Sequence, residues 1–238
     1  MNPKEKIIVA LDTPDLKKAE ELLTQLRGTI SFYKVGFELF YAQGWKAVEL
    51  VEKYGGKVFL DLKLHDIPNT VKNALKMIAE HPVAMVNVHC LGGLDMMRAA
   101  VETLQEHQKN QKILLIGVTI LTSLTPGNLS KELGIEKPFE SQAIALAVLA
   151  KRAGLDGVVS SPQEISALRK ECGKDFVIVT PGIRPEGAAL NDQKRILTPK
   201  QAFQAGADYL VIGRPITHDQ NPHKAVMDII QSISAAEK

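Results

Sequence analysis

The sequence predicts an α/β chain folded as one (β/α)8 barrel, a TIM barrel forming a single domain over residues 1–238. Three observations lead there. Eight short apolar runs alternate with about eight amphipathic segments, at spacings that suit parallel crossover units. The length of 238 residues lies close to the roughly 250 that such a barrel takes. An open doubly wound sheet, the alternative, normally carries a glycine fingerprint after its first strand. Here ALDTPDL follows that strand, with neither GxGxxG nor GxxxxGKS/T.

Taken in order, KIIVALD (6–12) reads as the first strand, and DLKKAEELLTQLR (15–27) as a helix with Leu16, Ala19, Leu22, Leu23 and Leu26 on one face. FYKVGF (32–37) is the second strand, followed by a helix over about 45–53. KVFLDLK (57–63) is the third, and the helix after it starts near Pro68, a favoured first-turn residue, with Val71, Ala74, Leu75 and Ile78 at helical spacing. VAMVNVH (83–89) leads to a helix at about 93–108, and KILLIGV (112–118) is the fifth strand. An irregular excursion, LTSLTPGNLSKELGIEKP, precedes the helix SQAIALAVLAKRAG. DGVVS (156–160), FVIVT (176–180) and DYLVIG (208–213) complete the strands, with helices near 162–171, 198–205 and 222–234. No low-complexity linker or composition shift marks a domain boundary.

Composition narrows the function. Twenty-nine Lys and Arg against 27 Asp and Glu leave a net charge of +2, with no basic stripe of the kind a nucleic-acid partner requires. Cys90 and Cys172 stand far apart without CxxC or Cys/His ligand spacing, and read as free thiols in a reducing compartment. The N-terminal apolar run is too short for a signal peptide, and no segment reaches the roughly 18 apolar residues of a membrane span. A cytoplasmic location is the expectation.

Polar residues on the strands carry the chemistry. Side chains two apart on a strand share a face. Phe59, Asp61 and Lys63 therefore point one way and Leu60, Leu62 and Leu64 the other. The apolar set belongs against the helices, which turns Asp61 and Lys63 inward at the C-terminal end. By the same alternation Ile8, Ala10 and Asp12 align, as do Phe32, Lys34 and Gly36. Barrel active sites lie at that end. Singly, Asp12 or Lys34 reads as a wet-rim charge. Together the four form alternating charges that keep one another ionised, and a lysine flanked by carboxylates suits proton donation better than nucleophilic attack.

A second constellation follows the seventh strand. TPGIR (180–184) and PEGAALNDQKR form a long Gly-rich and polar loop, about 182–197, which reads as a lid. The eighth strand ends in IGRPI, putting Gly213 and Arg214 at the rim. Loops after strands seven and eight are this fold's frequent phosphate site, so Arg214, beside a loop holding Arg184 and Gln193, points to a phosphorylated small substrate. Asn87 and His89 share a face on the fourth strand; His89 is expected to support the charged cluster by hydrogen bonding rather than to bind metal, since no second His stands at ligand spacing. His65 sits beside the motif, but alternation does not require it to point inward. Thr122, just past the fifth strand, could read a substrate edge.

DLKLHDIPNT holds a DxKxxD pattern and closely resembles the orotidine 5′-phosphate decarboxylases. The likeness extends in order through ALD, FYKVGFELF, VTILTS, VTPGIR, NDQKR and VIGRPIT, over roughly residues 6–224. It implies conversion of orotidine 5′-monophosphate to UMP and CO2 without metal or cofactor. It also implies roles: Lys63 as proton donor to C6, Asp61 beside the departing carboxylate, Lys34 bridging the charges and the ribose, and Asp12 on the ribose. Asp66, Ile67 and Thr70 would reach the partner's site in an obligate homodimer. Thr122 would read the pyrimidine with Pro181 nearby, while Gln193, Gly213 and Arg214, with Arg184 at the lid's base, would grip the phosphate. Two rivals share parts of this pattern: a metal-dependent lyase or aldolase acting on a ketose phosphate, and a non-catalytic nucleotide-binding barrel.

Overall fold

The computed structural model describes residues 3–107, 112–185 and 197–234. Eight parallel strands close into a barrel in chain order: β1 (Ile7–Ala10), β2 (Phe32–Gly36), β3 (Lys57–Leu64), β4 (Met85–His89), β5 (Leu114–Val118), β6 (Gly157–Val159), β7 (Val177–Thr180) and β8 (Tyr209–Ile212). β1 pairs with both β2 and β8, which leaves no open edge.

The predicted helices form, with local chemistry at their ends. In α1 (Leu16–Leu26) the Asp15 carboxylate caps the first turn by accepting from Lys17 N–H at 2.8 Å, and Ala19, Leu23 and Leu26 are buried. α4 (Pro68–Ile78) begins on its proline. α6 (Phe139–Ala153) ends at Gly154 in the left-handed conformation, φ 95°. α3 (Trp45–Lys53), α5 (Gly93–His107), α7 (Ile165–Cys172), α8 (Pro199–Ala205) and α10 (Pro222–Ser234) fill the other expected places. Two short helices lie outside the expectation. α2 (Phe37–Gln43) starts directly on the end of β2, and α9 (Arg214–Thr217) directly after Gly213. Each is too short for its helical period to stand out from the strand before it.

The core has two layers. Ile8, Ala10, Phe32, Phe59, Met85, Ile116, Val179 and Val211 fill the barrel interior. The intervening strand residues, Val9, Val35, Leu60, Val86 and Ile178 among them, join the helices in a larger outer layer. β-Strand alternation therefore distributes the residues as the sequence predicts. At Gly157 the β6 and β7 backbones approach so closely that a Cβ would stand 2.1 Å from the Val177 carbonyl oxygen. Only glycine fits there. Both cysteines are free and buried, and burial pushes the Cys90 thiol up to about 12. Among the described residues, no helix is long and apolar enough to cross a membrane.

Candidate active site

Above the interior layer the strands exchange apolar side chains for charged ones. Lys34 pairs in register with Ala10 on β1 and Phe59 on β3, and Gly36 with Asp61, so β1, β2 and β3 deliver their polar ends side by side. Lys34 Nζ lies 2.9 Å from Asp12 Oδ1 and 3.5 Å from Asp61 Oδ2. Lys63 Nζ lies 2.7 Å from Asp61 Oδ1. The result is a row, Asp12–Lys34–Asp61–Lys63, with signs alternating throughout. The predicted quartet is together.

Burial and charge act in opposite directions here. Burial disfavours the Lys34 ammonium, but Asp61 and Asp12 outweigh it and hold its pKa above the ordinary lysine value. Burial likewise disfavours the Asp61 carboxylate, yet Lys34 and Lys63, with hydrogen bonds from Lys63 and Asn87, hold its pKa below the usual carboxylate range. Both groups stay ionised near neutrality. Gly36 leaves room for this row: a Cβ there would stand 2.6 Å from Lys34 Nζ.

Lys63 reaches the row by a route that simple alternation misses. The β3–β4 register runs from Leu60↔Val86 to Leu64↔Val88, so four steps on β3 face two on β4. Two extra residues keep the parity of the strand, which is why Leu62 and Leu64 still pack on the outer layer. Within this bulge Lys63 takes φ 44°, the one positive φ at a non-glycine residue among those described. Its backbone N–H donates to Asn87 Oδ1 at 2.8 Å, and Asn87 Nδ2 donates to Asp61 Oδ1 at 2.7 Å. Lys63 Nζ also stands 5.3 Å from the centroid of the Phe37 ring.

These charges form one wall of a cavity of about 170 Å³. Phe59, Val118, Ile120, Leu121, Val159 and Val211 line the rest of it, together with Thr122, Ser160 and Pro181. The volume lies below the roughly 300 Å³ at which pockets for whole ligands begin, and suits one small ring. Ser160 escaped the sequence reading. Its hydroxyl donates to the buried Glu164 carboxylate at 2.8 Å, which also accepts from Ser161 N–H at 2.9 Å. Only the paired Ser-Ser and nearby acid could have signalled it.

Other predicted residues lie apart from this cavity. Gly213 follows β8 beside Asp12, and Arg214 opens α9, half-buried. Arg184 is buried, with Nη1 donating to the Ile183 carbonyl at 3.0 Å, and is not among the cavity-lining residues. The loop's two ends meet through an isolated bridge, Ile183↔Leu197. Gln193 and most of the expected lid, 186–196, fall outside the described residues. Asp66, Ile67 and Thr70 are exposed beyond the mouth of their own barrel, with Asp66 Oδ1 accepting from Ile67 N–H at 2.7 Å. His89 does not do what was expected. Its ring accepts from Leu91 N–H at 3.4 Å and stacks on His65, 5.2 Å between centroids; Asn87 makes the bond to the charged cluster instead. Burial, with His65 and Lys63, lowers the His89 pKa to about 4.

Comparison with known proteins places the chain in a family. The profile of the orotidine 5′-phosphate decarboxylase / HUMPS family matches residues 5–229. The chain belongs to that family. An orotidine 5′-phosphate decarboxylase of Trichlorobacter lovleyi is 50% identical over 98% of this chain and 96% of its own. One from Moorella thermoacetica is 48% identical over 98% and 94%. The crystal structure of orotidine 5′-phosphate decarboxylase from Lactobacillus acidophilus superposes with TM-score 0.86 at 37% identity, covering 96% of this chain and 99% of that one.

Proposed function

We propose that this family member decarboxylates orotidine 5′-monophosphate to UMP and CO2 in de novo pyrimidine biosynthesis, without metal or cofactor. The observation that carries the reading is the Lys63 ammonium, held 2.7 Å from Asp61 at the wall of a ring-sized cavity. The pyrimidine occupies that cavity with C6 toward Lys63. The C6–carboxylate bond breaks, CO2 departs, and its electron pair remains on C6. Lys63 stabilises that charge and then transfers one Nζ proton to it, leaving a neutral amine that solvent reprotonates. Asp61 faces the departing carboxylate and keeps Lys63 charged and in place. Lys34 and Asp12 hold the ribose.

Remote binding completes the site. Arg214 and Gly213, with Gln193 and Arg184 from the loop, bind the phosphate, and Thr122 with Pro181 reads the base. Phosphate binding then contributes to the chemical step through closure of the loop. Asp66, Ile67 and Thr70 enter the site of a second copy in a homodimer. Their exposure fits that reading: Asp66, Ile67 and Thr70 are all exposed, Ile67 at 67%. A cytoplasmic location fits a nucleotide-forming enzyme.

The test is an ultraviolet assay of orotidine 5′-monophosphate with purified protein and excess chelator. Absorbance change to UMP with stoichiometric CO2 supports the reading. Loss of turnover with chelator returns the metal-dependent lyase, and UMP binding without CO2 release returns the non-catalytic barrel.

A further inference from the structure

We infer that Asn87 is a positioning residue for the proposed reaction: it holds Lys63 in its left-handed conformation and ties that backbone to the carboxylate that receives its ammonium. The inference rests on the decarboxylase reading for its chemistry, and on geometry alone for the positioning.

Asn87 is fully buried on β4 and faces the barrel interior two residues above Met85. Both halves of its amide are engaged. The Oδ1 takes Lys63 N–H at 2.8 Å, and Nδ2 gives to Asp61 Oδ1 at 2.7 Å, the same oxygen that Lys63 Nζ approaches at 2.7 Å. A backbone donor demands the amide oxygen and a carboxylate demands the amide nitrogen, so the orientation follows from chemistry. The contacts close a ring from the Lys63 backbone through Asn87 and Asp61 to the Lys63 ammonium.

That ring explains two irregularities that nothing else in the strand requires. A lysine at φ 44° is disfavoured, and such conformations persist where the surroundings over-determine them. The β3–β4 ladder is broken between Leu60 and Leu64, which frees the Lys63 N–H from regular pairing. Asn87 supplies the acceptor that the ladder withdraws. Without it Lys63 can relax to an ordinary strand conformation, which swings its side chain away from Asp61 and from the cavity.

Two variants separate positioning from bulk stability. Asn87→Ala removes both hydrogen bonds. Asn87→Asp is isosteric and keeps the acceptor, but sets a second carboxylate against Asp61. The charged and titratable groups around it are Asp61 and Lys63 on β3, Lys34 on β2 and His89 on its own strand; β5 presents apolar Ile116 and Val118. When protonated, the introduced carboxyl has one donor and one acceptor, and so can make the same two bonds as the amide.

The experiment measures kcat and KM across pH, UMP affinity, and the crystal structure of each variant. Asn87→Ala is expected to lower kcat about 100-fold with UMP affinity within about threefold, since a misplaced reacting group costs roughly that much. Its Lys63 φ turns negative. Asn87→Asp is expected to regain kcat as pH falls and its carboxyl again donates to Asp61. Wild-type kcat in Asn87→Ala overturns the inference, as does a variant crystal with Lys63 still at positive φ and on Asp61. If Asn87→Ala does not fold, a flat kcat against pH in Asn87→Asp overturns it. If the wild-type protein leaves orotidine 5′-monophosphate intact, the proposed function fails, and the Lys63 conformation in the variant crystals alone decides the positioning.

Discussion

Replacing Asp61 by Asn tests the charged row at its centre. Asp61 is 9% exposed and accepts from three cationic or amide donors: Lys63 Nζ at 2.7 Å, Asn87 Nδ2 at 2.7 Å and Lys34 Nζ at 3.5 Å. The Asn keeps its oxygen for Lys63 and Asn87 but turns an NH2 toward Lys34, donor against donor; Lys63 loses its carboxylate, and Lys34 keeps only Asp12. Each ion pair is worth about 5 kcal/mol at an effective dielectric of about 20, before the cost of drying the carboxylate. Removing one partner of a buried pair costs about 3–5 kcal/mol net. The partial exposure of the Lys63 side chain and the retained hydrogen bonds reduce this to about 2–3 kcal/mol. For a chain of this length that is a fall in Tm of about 4–12 °C.

The sign of the pH dependence follows from the depressed Asp61 carboxyl. Its contribution is complete above the unfolded value of about 3.9 and is lost as pH falls through the lower folded value. Urea unfolding at pH 7 should show the full gap between the two proteins, and unfolding at about pH 3 a narrower one. A gap under about 0.5 kcal/mol at pH 7, the range of an ordinary surface change, would refute the electrostatic account. So would a gap that does not narrow in acid.

Other outcomes test the remaining parts. Lys63→Ala should fold and lose turnover by about 10²–10⁴-fold or more, the range for a positioned proton donor, as read in the ultraviolet assay. Gly36→Ala should lower both Tm and kcat/KM, because the new methyl displaces the buried Lys34 Nζ from Asp12 and Asp61; a crystal structure checks the displacement. Arg214→Ala should weaken the phosphorylated substrate strongly and the bare nucleoside little, measured as the ratio of their kcat/KM values. At the opposite end of the barrel, Arg169 donates to the carbonyls of Gly173, Lys174, Phe176 and Gly206 and pairs with Asp208 at 2.6 Å. Arg169→Ala should cost about 3–4 kcal/mol by denaturant unfolding, with kcat unchanged well below the melting transition.

By itself the sequence determined the strand order, the two faces of each strand and the meeting of Asp12, Lys34, Asp61 and Lys63. Those follow from alternation, a strictly local rule that closure of a parallel barrel turns into a shared mouth. The short helices α2 and α9 were hidden because each continues straight from a strand and spans barely one or two turns. Asn87 was visible as an inward polar residue, yet its partner was not. Alternation says which way a side chain points and not what stands opposite once a register slips. The two-residue bulge in β3 is a property of the β3–β4 pair, and only the tertiary structure could decide that Asn87, rather than His89, would hold Lys63. Asp66 marks the other limit. It is exposed on its own barrel, so its proposed place depends on a second chain.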